Sequence, residues 1–102
     1  MMASQQFHVD RTRIAEFCER HQIRKFSLFG SVLRDDFGPN SDVDVLVEFM
    51  PGSRVGLIRL AGMELELSQL FGRKADLRTP ADLSRYFRAE VLGAAQVKYV
   101  RK

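Results

Sequence analysis

The sequence predicts an α/β (α+β) domain: a small mixed β-sheet with helices packed on it. Three observations predict it. Segments of helical apolar period alternate with short segments rich in β-branched and apolar residues. Glycine, proline and asparagine fall between these segments, where turns are needed. The chain has 102 residues, which suits one small domain. The expected organisation is a single domain over residues 1–102, with 1–8 as a loose terminus.

The elements follow in order. Asp10 is placed to cap a helix from Arg11 to His21. Ile14, Phe17, Cys18 and His21 fall on one face of it. Residues 25–29 alternate as a strand, and Gly30 ends it. Ser31 to Asp35 can make a helical turn, and Gly38 to Ser41 read as a loop. Residues 43–49 form a second strand, rich in valine. Pro51 and Gly52 turn the chain into a long helix from Arg54 to Phe71. Its repeat is Leu57, Leu60, Ala61, Glu64, Leu67 and Leu70, widened by Ile58 and Leu65. Gly72 stops it. Residues 74–78 read as a third strand. Thr79 and Pro80 open a last helix over 80–94, broken near Arg85. Residues 96–100 close the chain as a strand. The order is α-β-α-β-α-β-α-β.

Composition narrows the function. Hydrophobic residues are 45% and charged residues 28%, as in ordinary globular proteins. The net charge of +3 suits a polyanionic ligand. The single cysteine, Cys18, cannot form an internal disulfide and falls on the apolar helix stripe. It reads as a buried structural thiol in a reducing compartment. No apolar run suggests a signal peptide or a membrane span. The expected location is the cytoplasm, away from membranes. Direct nucleic-acid binding is not expected, because Arg73, Lys74, Arg78, Arg85 and Arg88 are not interleaved with stacking aromatics.

The chemistry gathers around two short motifs. Asp42 and Asp44 stand two apart at the start of a strand, so their carboxylates share a face while Val43 and Val45 face the other way. Two such anions repel unless a cation lies between them. A hard divalent ion with oxygen ligands answers that need, and Mg²⁺ arrives with phosphates. Gly30 and Ser31 end the preceding strand, where a bare backbone and free N–H groups can receive a phosphate. If the two strands are antiparallel, the short linker from Ser31 to Ser41 brings that cradle opposite the carboxylates. Asp76 is the candidate third carboxylate, provided its strand pairs with 43–49. Two-ion phosphoryl chemistry needs such a group, as a ligand of the second ion or as a general base.

The stretch from Phe29 to Val47 carries Gly30-Ser31, Arg34, Asp36, Ser41-Asp42 and Asp44. It resembles the signature of the DNA polymerase beta-like nucleotidyltransferases, and within them the minimal nucleotidyltransferase family. The resemblance covers nearly the whole chain. It implies that fold, with Gly30, Ser31, Arg34 and Ser41 at the nucleotide and Asp42, Asp44 and Asp76 as catalytic metal ligands. Arg34 and Asp36 either touch substrate or pin the turn as an ion pair. The implied substrate is ATP with Mg²⁺, two ions in all. The implied acceptor is a hydroxyl. Many relatives are antitoxins that AMPylate a HEPN-domain toxin partner, which makes such a toxin the expected partner; self-association is a further expectation.

Other readings explain less. A calcium loop starting at Asp36 would have Ser41 where glycine is needed and Val47 where glutamate is needed. A D-x-D glycosyltransferase needs more chain. A merely structural Asp pair leaves the joint occurrence of Gly-Ser, Ser-Asp and Asp-x-Asp without a reason. One rival keeps the fold and drops the chemistry: an antitoxin that blocks its partner by binding.

Overall fold

The computed structural model describes residues 10–33, 38 and 41–101, with the backbone alone for Ser31. Helix α1 spans Arg11–Arg20, and the Asp10 carboxylate caps it by accepting from the amides of Thr12 (3.0 Å) and Arg13 (3.2 Å). Capping uses amides that the first turn cannot bond internally. Ile14, Phe17 and Cys18 are buried, as their spacing predicts, and His21 is the C-cap residue. Strand β1 (Ile23–Phe29) begins two residues before the alternation suggests. A β-bulge between Ile23 and Lys25 explains the difference: it breaks the two-residue period that marks a strand.

Strand β2 (Val43–Phe49) leads through helix α2 (Leu57–Phe71) into strand β3 (Ala75–Arg78). Helix α2 starts three residues later than expected. Gly56 stands at its N-cap in extended conformation, and apolar periodicity carries no signal for that boundary. Gly72 ends the helix in the left-handed region, with φ 73°. The face of α2 needs a larger correction. Met63 and Leu67 are buried, whereas Leu57 (84%), Ile58 (90%) and Leu65 (67%) are exposed. The helix is apolar on more than one side, so its period does not select the inward face; packing against β3 does.

After β3, the 3₁₀ turn Pro80–Asp82 stops at Leu83, which is extended, and helix α3 (Arg85–Ala94) restarts behind Ser84. The break expected near Arg85 is therefore a full interruption. Arg88 ties the two pieces by donating to the carbonyls of Pro80 (2.9 Å) and Leu83 (3.2 Å). Strand β4 (Gln96–Val100) closes the sheet.

Among the described residues the sheet has four strands in the order β3-β2-β1-β4. β1 is antiparallel to both β2 and β4, while β2 and β3 are parallel. The sheet is thus mixed, as expected. Phe26, Leu28, Val43, Val45, Val47, Ala75 and Leu77 form its apolar face, on which α1 and α2 set Phe17 and Leu67. The opposite face is left for polar groups at the β1–β2–β3 end, and there the candidate site lies. No described helix is long and apolar enough to cross a membrane.

Candidate functional site

The site begins where β1 ends. Phe29 pairs with Asp44 across the antiparallel ladder, so the C-terminal end of β1 stands beside the N-terminal end of β2. This is the arrangement that the short linker implied. Gly30 follows with φ 73°, a left-handed conformation that costs glycine little, and opens the 3₁₀ turn Gly30–Leu33. A Cβ at position 30 would overlap Asp44 Oδ2 and lie 3.1 Å from Asp44 Cγ. The missing side chain is what lets the backbone of the turn meet the carboxylate. Ser31 is the second residue of the same turn.

Asp42 is exposed and sits just before β2; Asp44 is half-buried within it. Val43 and Val45 are fully buried, so alternation sends both aspartates to the opposite face. Asp76 is the register partner of Asp44 on parallel β3. Register partners on adjacent strands lie about 4.8 Å apart and present side chains to the same face. The structure therefore brings Asp76 beside Asp44. The Asp76 carboxylate also accepts from Arg78 Nη2 at 3.2 Å, with both side chains partly solvated.

Ser41 is half-buried, and it closes a turn onto Gly38. Its hydroxyl accepts from the Gly38 amide (3.0 Å), and its own amide donates to the Gly38 carbonyl (3.1 Å). Arg34 and Asp36 lie outside the described residues. The expected loose terminus, residues 1–8, also lies outside them.

Sequence reasoning missed Arg73 in this setting, counting it only among scattered basic residues. Its guanidinium donates to the carbonyls of Gly38 (2.9 Å) and Ser41 (3.4 Å), which fastens the loop entering β2 to the loop entering β3. The Val43 amide reinforces the link by donating to the Lys74 carbonyl (2.9 Å). No local pattern marks this arginine, because its partners are backbone atoms far along the chain.

Among the described residues, no three or more His, Cys, Asp or Glu side chains close into a group able to hold an ion unaided. The donor set is instead a carboxylate pair, Asp44 and Asp76, with Asp42 at the strand entrance. That set suits Mg²⁺, which characteristically takes one or two carboxylates and completes its shell with water and substrate phosphates.

Comparison with known proteins bears on this geometry. A family model described as a nucleotidyltransferase domain matches residues 11–98. A Methanocaldococcus jannaschii protein, named as a candidate protein adenylyltransferase, is 28% identical over 85 residues, covering 83% of this chain and 89% of that one. A solved structure, named as that of a candidate minimal nucleotidyltransferase, is 33% identical with TM-score 0.69, covering 83% of this chain and 85% of its own. A chain from a toxin–antitoxin structure with AMP-PNP shares the fold at TM-score 0.74 and 17% identity, over 92% of this chain and 76% of that one. A chain from the structure of tri-AMPylated Shewanella oneidensis HEPN toxin with MNT antitoxin does so at TM-score 0.65 and 16% identity, over 89% and 70%.

Proposed function

The chain belongs to the nucleotidyltransferase domain family, in its minimal nucleotidyltransferase branch, and from that premise we propose that it transfers AMP from ATP to a hydroxyl of a partner protein, a HEPN-domain toxin that it thereby silences. The observation that carries this reading is the meeting of the Gly30 backbone with the Asp44 carboxylate, with Asp76 in register beside it. Phosphates and carboxylates repel, so a protein that brings a triphosphate cradle against an aspartate is built for a cation between them.

The residues divide the work. Gly30 and Ser31 receive the triphosphate, with Ser41 and Arg34 assigned to the nucleotide as well. Asp42 and Asp44 would hold Mg²⁺, and Asp76 would serve a second ion and take the proton of the incoming hydroxyl. When bound, Mg²⁺ would supply charge neutralisation on the triphosphate and would acidify the attacking hydroxyl. The hydroxyl oxygen bonds to the α-phosphorus in line, the α–β bridging P–O bond breaks, and pyrophosphate leaves. The relatives lend support: those from Methanocaldococcus jannaschii are named as candidate protein adenylyltransferases, and the Shewanella oneidensis complex pairs an AMPylated HEPN toxin with an MNT antitoxin.

The test is to incubate the chain with labelled ATP, Mg²⁺ and the HEPN-domain partner, and to weigh the intact partner. One or more added AMP units are expected, and none with the Asp42→Asn/Asp44→Asn double variant, which should keep its circular dichroism. Full transfer by that variant would sink the catalytic assignment. A second reading, a blocking antitoxin, draws on the exposed Tyr86 (80%) and Phe87 (60%) of α3. Tight binding without added mass would favour it.

A further inference from the structure

Among the described residues, strand β3 is an edge strand of four residues, paired on one side only. Its outer amides would face water or nothing. They do neither. The Leu77 amide donates to Glu64 Oε2 at 2.7 Å, and the Ala75 amide donates to Ser68 Oγ at 2.9 Å. Both acceptors stand on α2 one turn apart, at the i,i+4 spacing that shares a helix face. The two amides belong to the residues on either side of Asp76. Ser68 is itself oriented: its hydroxyl donates to the Glu64 carbonyl (2.8 Å), which turns a lone pair toward Ala75. The Ser68 carbonyl accepts from the amides of Gly72 (2.9 Å) and Arg73 (3.2 Å), so the linker into β3 hangs on the same residue.

Glu64 falls on the repeat that the sequence assigns to the apolar face of α2. A carboxylate there needs a donor, and the edge of β3 supplies one. We propose that Glu64 and Ser68 are positioning residues: together they clamp the backbone on both sides of Asp76 and hold its carboxylate in register with Asp44. The proposal rests on the role assigned to Asp76 above. It goes beyond that role by naming what keeps Asp76 in place. Neither Glu64 nor Ser68 touches substrate; each acts through the strand.

The chemistry separates acceptor from charge. Glutamine at position 64 and threonine at 68 can still accept an amide hydrogen bond; alanine cannot. The full chain is compared as Glu64→Ala, Ser68→Ala and the double variant, with Glu64→Gln and Ser68→Thr as rescues and Asp76→Asn as reference. AMP transfer to the HEPN-domain partner is measured at varied ATP. The alanine variants should lose roughly tenfold to a hundredfold in kcat, as supporting residues of metal sites do. KM for ATP should hold, because Gly30, Asp42 and Asp44 are untouched. The rescues should restore kcat. Amide hydrogen exchange at Ala75 and Leu77 should quicken in the alanine variants and recover in the rescues, while the amides of the β1–β2 ladder stay protected, which reports that each variant is folded.

A double alanine variant with wild-type kcat, beside an inactive Asp76→Asn, overturns the clamp and leaves the site reading intact. Loss of kcat that the rescues do not restore also overturns it. If Asp76→Asn transfers normally, or the wild-type chain transfers nothing, the site reading fails instead. Exchange at Ala75 and Leu77 then decides the clamp: protection unchanged by alanine removes it.

Discussion

The Asp44 carboxylate occupies the space that a side chain on residue 30 would need. Gly30 is therefore held by two independent demands, the left-handed φ of 73° and the approach of Asp44. Either alone would favour glycine; together they exclude even alanine.

Gly30→Ala should accordingly impair both folding and function. The left-handed conformation costs an alanine about 1–2 kcal/mol. Displacement of Asp44 should lower AMP transfer by about a hundredfold, the order expected when a reacting group moves by an ångström. Denaturant melts and the transfer assay read the two effects separately. An active, fully stable Gly30→Ala chain would contradict the geometry.

Cys18 should behave as a structural thiol. It is fully buried, and burial pushes its pKa from 9.0 up to about 12, against a smaller pull from Arg101. A raised pKa means that the neutral thiol is favoured in the fold. Its contribution to stability is complete below pH 9 and is lost as pH rises toward 12. Iodoacetamide at pH 8 should leave the folded chain unmodified and label it only as denaturant unfolds it. The melting temperature of the wild type should fall more steeply above pH 9 than that of Cys18→Ala.

The two faces of α2 should differ in cost. Leu67 is fully buried and Ile58 is 90% exposed. Leu67→Ala should cost about 2–5 kcal/mol, as cavity-forming changes do. Ile58→Ala should stay within about 0.5 kcal/mol, as exposed substitutions do. Urea unfolding of the two variants measures both, and equal losses would show that the helix is turned differently.

Glu66 joins α2 to the end of α1. Its carboxylate pairs with Arg20 and accepts from His21 Nε2 at 2.9 Å. The Arg20 hydrogen bond holds its pKa below 4.5, with partial burial opposing and His21 assisting. A lowered carboxyl pKa adds stability above pH 4.5 that is lost as pH falls through the folded value. Glu66→Gln should flatten the acid limb of the melting-temperature profile and leave its alkaline limb alone. An unchanged acid limb would exclude this role.

Much of the chain is legible before any tertiary contact is known. Asp10 caps α1, Gly72 ends α2, Thr79 and Pro80 open the turn after β3, and Asp42 and Asp44 fall on the face opposite Val43 and Val45. Each depends on backbone preference or on the two-residue alternation of a strand, which neighbouring residues encode. The inward face of α2 was not legible, since Leu57, Ile58 and Leu65 are as apolar as the residues that become buried. The true start of β1 was hidden by a bulge that only its partner strand defines.

The sequence by itself determined the alternation of helices and strands, the glycine that stops α2 and the chemical kinds of group at the site. The tertiary structure decided that β3 lies parallel to β2, which sets Asp76 beside Asp44, and that Arg73, Glu64 and Ser68 fasten the backbone around them. The reason is one of distance along the chain. Caps, turns and alternation are settled within a few residues, whereas register and clamping are settled by partners that meet only after the crossover through α2 has closed.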